Sequence, residues 1–171
     1  MANVIVRPGE FDFTFPATVP VEAPAGVVRE WQVSEPFVAP PGAVLALPDE
    51  AAGGRWHAAR PAPDGLLAFD RVVAPPEGAR RATTLARTRL TTESPRTVRI
   101  DFGFSDDVSV FLNGVLLYSG VNGYSYNFPR RDGLITPDQA SLYLALRPGD
   151  NELIFAVIDT FGGWGLMARV R

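Results

Sequence analysis

The fold is decided by one stretch: Thr97-Val98-Arg99-Ile100-Asp101-Phe102-Gly103-Phe104-Ser105-Asp106-Asp107-Val108-Ser109-Val110-Phe111-Leu112-Asn113-Gly114-Val115-Leu116-Leu117. In its first part Val98, Ile100, Phe102 and Phe104 fall on one face and Thr97, Arg99 and Asp101 on the other. That period of two is the signature of a strand with one buried face. After Ser105-Asp106-Asp107 the period resumes through Val108, Val110 and Leu112. Asn113-Gly114 then separates two apolar runs and supplies the two φ > 0 positions of a type I′ turn, the strongest short-range hairpin signal.

The same pattern extends in both directions. Phe11 to Phe15 alternates three aromatics on one face, and Val27 to Val33 and Leu66 to Val73 read as strands. Thr83 to Thr92, Ser141 to Leu146 and Trp164 to Val170 do the same. Glu152 to Asp159 is nearly all apolar, as a central strand buried on both faces would be. Arg147-Pro148-Gly149-Asp150-Asn151 and Gly162-Gly163 are breaks. Helical signals are confined to a short turn within Pro48 to Ala59 or at Thr136 to Gln139. Nine or ten short strands without intervening helices predict an all-β protein, an antiparallel β-sandwich or barrel. The chain of 171 residues fits one domain, 1–171, with an N-terminal strand or extension over 1–26 and the β core over 27–171.

Composition narrows the function. The net charge is −3, with 16 basic against 19 acidic residues, so no nucleic-acid partner is expected. There is no cysteine and a single histidine, His57, which excludes disulfides, thiolate metal sites and multi-histidine centres. Every basic residue is Arg, so Schiff-base lysine chemistry and a P-loop lysine are impossible. Richness in Arg, Ala, Gly and Pro fits a bacterial, high-GC genome. No apolar run reaches the roughly 18–20 residues of a spanning helix, so no membrane association is expected. Met1 to Pro8 does not read as a signal peptide, which predicts a cytoplasmic protein, or an extracellular one if the chain is cut from a larger secreted parent.

Several pieces in order resemble the galactose-binding-like jelly-roll domains found as carbohydrate-binding modules and accessory domains of glycoside hydrolases. They are Trp31-Gln32-Val33-Ser34-Glu35-Pro36-Phe37, Trp56 with Asp64-Gly65-Leu66, the Ser105 to Gly114 hairpin, Leu146 to Leu153, and Phe161-Gly162-Gly163-Trp164-Gly165. The resemblance implies a jelly-roll sandwich and a ligand-binding role without catalysis. It also implies a sugar or other small molecule as partner. Related jelly rolls often hold a structural calcium, but no dense acidic loop is present, so no cofactor is expected.

The candidate site is the loop expected over Ser119 to Gly133. It gathers Asn122, Tyr124, Tyr126, Asn127, Arg130 and Asp132, with Phe128 and Arg131 among them. Aromatic faces suit the C–H surfaces of sugars, while Asn, Asp and Arg suit their hydroxyls. Trp164, between glycines, is a candidate stacking platform, although its position also suits core or rim packing, and Trp56, in a more open segment, is another. Two other readings stay open. The chain is an assembly domain, packing on a protein partner or on a second copy of itself through Phe11, Phe13 and Phe15. Or it is a small enzyme using Tyr124 or Tyr126, Asp132 or Asp107, and His57 as acid–base groups. Asp106 reads as the residue of an Asx turn opening the hairpin strand.

Overall fold

The computed structural model describes residues 24–127 and 133–171. Eleven strands are assigned among the described residues: β1 Trp31–Ser34, β2 Phe37–Val38, β3 Trp56–Ala59, β4 Leu67–Ala68, β5 Ala82–Thr92, β6 Arg96–Ser105, β7 Asp107–Leu112, β8 Val115–Val121, β9 Ala140–Leu146, β10 Gly149–Asp159 and β11 Gly165–Val170. One helical turn, α1 (Glu50–Gly53), and a 3₁₀ turn at Phe69–Arg71 complete the assignment. All the pairings are antiparallel.

The strands form two sheets, one in the order β4-β11-β6-β9 and the other β3-β1-β5-β10-β7-β8, with β2 also on β5. From β4 onward the chain alternates between the sheets except at the β7–β8 hairpin. The two antiparallel sheets pack as a β-sandwich. β1 and β3 widen the second sheet beyond β5. The face-to-face core contains Val98, Ile100, Phe102 and Phe104 from β6 against Val110, Leu153, Phe155 and Val157 from the other sheet. Phe155 sits at its centre, with ring centroids 5.8 Å from Trp31 and 5.4 Å from Phe102, both edge-on. That is the geometry aromatic quadrupoles prefer.

β10 is apolar on both faces for a physical reason. Leu153, Phe155 and Val157 enter the main core, while Ile154 and Ala156 join Leu85 and Phe111 in a second cluster on the outer face of the six-strand path. Phe37, Val44, Leu47, Ala51 and Trp56 from the 37–56 segment cover that cluster.

The Asn113-Gly114 hairpin forms as the sequence requires, with φ of +50° and +83°. Three expectations are corrected. The strand expected over Leu66 to Val73 stops at Ala68. There Phe69 turns inward, its N–H donating to the Trp164 carbonyl, and Val72 and Val73 close a turn on Phe69. The region Pro48 to Ala59 is a helical turn followed by the strand β3, because Trp56 to Ala59 pairs with β1. β8 runs to Val121, so the loop begins later than Ser119. Phe11, Phe13 and Phe15 lie outside the described residues.

Candidate functional site

One end of the sandwich is built by three connections: β6–β7 at Ser105–Asp106, β8–β9 after Val121, and β10–β11 at Thr160–Trp164. Asp106 organises it. The residue is buried, and its Oδ2 accepts from the Thr160 N–H and hydroxyl, each at 2.7 Å, and from the Phe161 N–H at 2.6 Å. Its Oδ1 accepts from the Ser105 hydroxyl at 2.9 Å. The expected Asx turn is therefore not what this side chain forms. The carboxylate spans two loops, because the β10–β11 turn presents two free N–H groups beside it.

Asn122 is the second clasp. Its Nδ2 donates to the Phe104 and Leu134 carbonyls, both at 3.0 Å, and its backbone N–H donates to the Asp106 carbonyl. Gly123 lies so close that a Cβ there would stand 3.1 Å from the Asp106 Cβ. The chain from Gly123 to Asp106 to Phe161 places Tyr124 and Phe161 at the same end.

The predicted residues divide sharply. Tyr124 is 60% exposed and Tyr126 87% exposed. Phe161, which the sequence reading placed only in a motif, is 72% exposed. Large apolar groups facing water are informative where most of the other described aromatics are buried, although Tyr143 on β9 is exposed as well. Asn127 is in the same loop and exposed. Asn122 is buried, and its amide nitrogen is committed to the loop backbone. Arg130, Asp132, Phe128 and Arg131 lie outside the described residues.

Trp164 is in the core: it is buried, its Nε1 donates to the Val157 carbonyl at 3.2 Å, and its ring packs edge-on against Phe69 at 5.5 Å. Its flanking glycines bend the chain so that the indole plugs the end of the sandwich, and no face is left for a ligand. Trp56 lies elsewhere. It is on β3, five strand intervals from β8 in the same sheet, about 24 Å at ~4.8 Å per interval. The Arg87 guanidinium sits 3.9 Å from its ring centroid, a cation–π contact.

The acid–base set named in the sequence is not gathered among the described residues. His57 is on β3, at the edge of the sheet away from the tyrosines, and its Nε2 is 2.7 Å from the Oε1 of Glu35, the residue after β1. Asp107 is 4.0 Å from Arg81. Sequence reasoning missed Asp159 as well. Burial, and then the nearby charge of Asp106, pushes its carboxyl above the usual carboxylate range. Its Oδ1 is buried without a hydrogen-bond partner among the described residues. Its position at the end of an apolar strand, one residue before the Thr160 turn, was the signal available. No group of three or more His, Asp or Glu placed to hold a metal occurs among the described residues. No helix among them is long and apolar enough to cross a membrane.

No family model and no curated protein matches the chain. Solved structures do. A β-glucosidase from Kluyveromyces marxianus, solved in complex with glucose, superposes with a TM-score of 0.51 at 12% identity, covering 82% of this chain and 16% of that one. A CBM35 from Paenibacillus barcinonensis gives 0.37 at 14% identity, covering 88% and 95% of the two chains. A β-glucuronidase from Faecalibacterium prausnitzii gives 0.40 at 14% identity, covering 80% and 22%. The first likeness is one of fold: the chain is an antiparallel β-sandwich of a kind that also occurs within a much longer glycosidase.

Proposed function

We propose that this chain is a non-catalytic carbohydrate-binding module of galactose-binding-like type, with its site on the loops at the Tyr124 end of the sandwich. The observation that carries the reading is the exposure of Tyr124, Tyr126 and Phe161 beside loops held rigid by Asp106 and Asn122. Rings held on clasped loops can stack on the C–H face of a sugar with little ordering cost. Asn127 stands next to them, and Arg130 and Asp132 follow in the chain. The non-catalytic part rests on Asp106 and His57; the Asp159 carboxyl, whose Oδ1 is buried without a hydrogen-bond partner among the described residues, is the observation that favours the acid–base alternative. Asp106 is spent on four donors, and His57 is held by Glu35 at the opposite sheet edge.

The test is calorimetric titration of the full chain with a panel of neutral and acidic mono- and oligosaccharides. A Tyr124→Ala/Tyr126→Ala double variant is titrated in parallel. The expected result is saturable binding of one sugar class, lost in the double variant while the melting temperature is unchanged. Binding that survives the double variant moves the site elsewhere. No binding of any sugar at millimolar concentration overturns the reading.

A further inference from the structure

An open sheet edge presents unpaired N–H and C=O groups to any strand that fits it. Among the described residues β3, β4, β8 and β9 end the two sheets. The first three are blunted. β4 has 2 residues and β3 has 4, with Arg55 before it and Arg60 after it. β8 has 7, but its register with β7 shifts between Val110 and Phe111, so Leu117 is an extra residue that kinks the edge. β9 is different. Its 7 residues, Ala140 to Leu146, pair with β6 in unbroken register and include no charge, no proline and no glycine. No strand among the described residues pairs with its outer side. Tyr143, at its midpoint, is 72% exposed.

The backbone of β9 shows which groups are open. In an antiparallel ladder the backbone groups of successive residues point to opposite sides. The Arg99 carbonyl accepts from the Arg171 N–H, on the β11 side of β6. The Phe104 N–H donates to the Gln139 side chain, on the β9 side. Val98, Ile100 and Phe102 therefore turn toward β9, and their register partners Leu144, Leu142 and Ala140 turn toward β6. The alternate residues Ser141, Tyr143 and Ala145, all exposed, turn their N–H and C=O groups outward.

That set is its own complement. A twofold axis at Tyr143 sets this residue opposite the partner's Tyr143, Ser141 opposite the partner's Ala145, and Ala145 opposite the partner's Ser141. Each pair then exchanges both of its hydrogen bonds, and the rings of the central pair meet as a cross-strand aromatic contact. The same axis brings the exposed Arg147 opposite the partner's Gln139 and next to the partner's Asp138, so the basic end of one strand meets the acidic end of the other. Tyr118 of β8 packs edge-on against Phe102 and Phe104 of β6, which puts the exposed Val115, Leu117 and Val121 of β8 on the same side of the sandwich. A seam about 24 Å long, at ~3.4 Å per residue, and about 20 Å deep across two layers ~10 Å apart buries roughly 1,000 Å² over both copies. That is the lower end for a specific interface and sets a dimer of micromolar affinity.

We propose that β9 is a self-association edge: two copies of this chain join as a twofold dimer by antiparallel β9–β9 pairing centred on Tyr143, which continues the four-strand sheet through both. The inference is independent of the sugar-binding reading.

The experiment is sedimentation velocity of the full chain from about 1 μM to about 1 mM, with amide hydrogen exchange followed by NMR at both ends of that range. Two variants accompany it. Tyr143→Lys places like charges opposite each other across the axis, from an exposed side chain. Ala145→Pro removes an outward N–H and no bond to β6. The expected result is a monomer–dimer equilibrium in which the Ser141, Tyr143 and Ala145 amides are protected at high concentration only. Each variant should raise the Kd about tenfold or more while the dilute monomer melts at an unchanged temperature. Where Ala145→Pro lowers that temperature, Tyr143→Lys alone decides. A chain that stays monomeric throughout overturns the inference, as does a dimer indifferent to the variants, whose interface lies elsewhere. Protection of the three amides at every concentration also overturns it, since a segment of the same chain then covers the edge. Growth beyond a dimer does so too, because a twofold contact closes.

Discussion

Removing the Asp106 carboxylate should loosen the entire tyrosine end. The side chain accepts four hydrogen bonds, three on Oδ2 and one on Oδ1, and is itself buried. A hydrogen bond to a charged group contributes about 1.5–3 kcal/mol, and such terms do not add within one network. Thr160 and Phe161 are exposed, so water can reach their N–H groups once the carboxylate is gone. The Ser105 hydroxyl is buried and is left without this acceptor. Asp106→Ala should therefore cost about 3 kcal/mol, a large part of the ~5–15 kcal/mol that holds a domain together. For a domain of this size that is a fall in Tm of about 6–12 °C. Asp106→Asn keeps one acceptor for the Thr160–Phe161 turn and turns an amide toward the Ser105 hydroxyl, which can accept from it. It should cost about 1 kcal/mol, mostly the lost charge. Thr160→Val removes one donor and should fall between no effect and the Asn value. The measurement is urea unfolding of the three variants, with hydrogen exchange of the Thr160 and Phe161 amides. A loss below 1 kcal/mol for Asp106→Ala, or an Asn variant as damaging as Ala, would refute the reasoning, since the clasp would then contribute no more than an ordinary surface group.

Four further outcomes are expected. Asn151 is buried and donates to the Leu90, Arg147 and Gly149 carbonyls, so Asn151→Asp, which aims a carboxylate at all three, should destabilise more than Asn151→Ala at pH 7, with the gap closing as the pH falls and the carboxylate protonates; urea midpoints at two pH values decide it. A Cβ on Gly103 would stand 1.9 Å from the Thr136 carbonyl oxygen, so Gly103→Ala should displace the 133–139 segment and cost about 1–3 kcal/mol, whereas Gly53→Ala, with open space around it, should be neutral or slightly stabilising; limited proteolysis and thermal melts distinguish them. The Ser141 hydroxyl, with Arg99 and Arg171, holds the Asp101 carboxyl well below the usual carboxylate range. Its stabilising contribution is thus full above the unfolded pKa of about 3.9 and is lost as pH falls toward the folded value, and Asp101→Asn should flatten the acid limb of stability against pH. Asp159 has the opposite sign: its raised pKa makes its contribution favourable below the unfolded value and lost as pH rises through the folded one, so Asp159→Asn should raise the urea midpoint at pH 7 and leave it unchanged at low pH.

Strict alternation through Thr97 to Leu112 and the Asn113-Gly114 turn determined the central hairpins by themselves, because a period of two admits one buried face and Asn-Gly admits one turn. The apolar run of β10 likewise announced a strand covered on both sides. The loop that carries Tyr124 and Tyr126 was legible too, but whether their rings tuck onto the core or face water was not, since neither falls on an alternating face. Tertiary structure decided the rest. Trp164 and Tyr126 are both aromatics near turns, yet one plugs the core and the other faces water, and only the packing of Phe69 and the Val157 carbonyl separates them. Asp106 looked like a local turn residue because its true partners, Thr160 and Phe161, lie 54 and 55 positions away. Trp56 to Ala59 became a strand only because β1 offered it an edge. Gln32, Ala58, Arg87 and Glu152 come from four strands and share one sheet face only through register. Local sequence fixes periodicity and turns, whereas which distant side chains share a surface depends on pairings that local patterning does not encode.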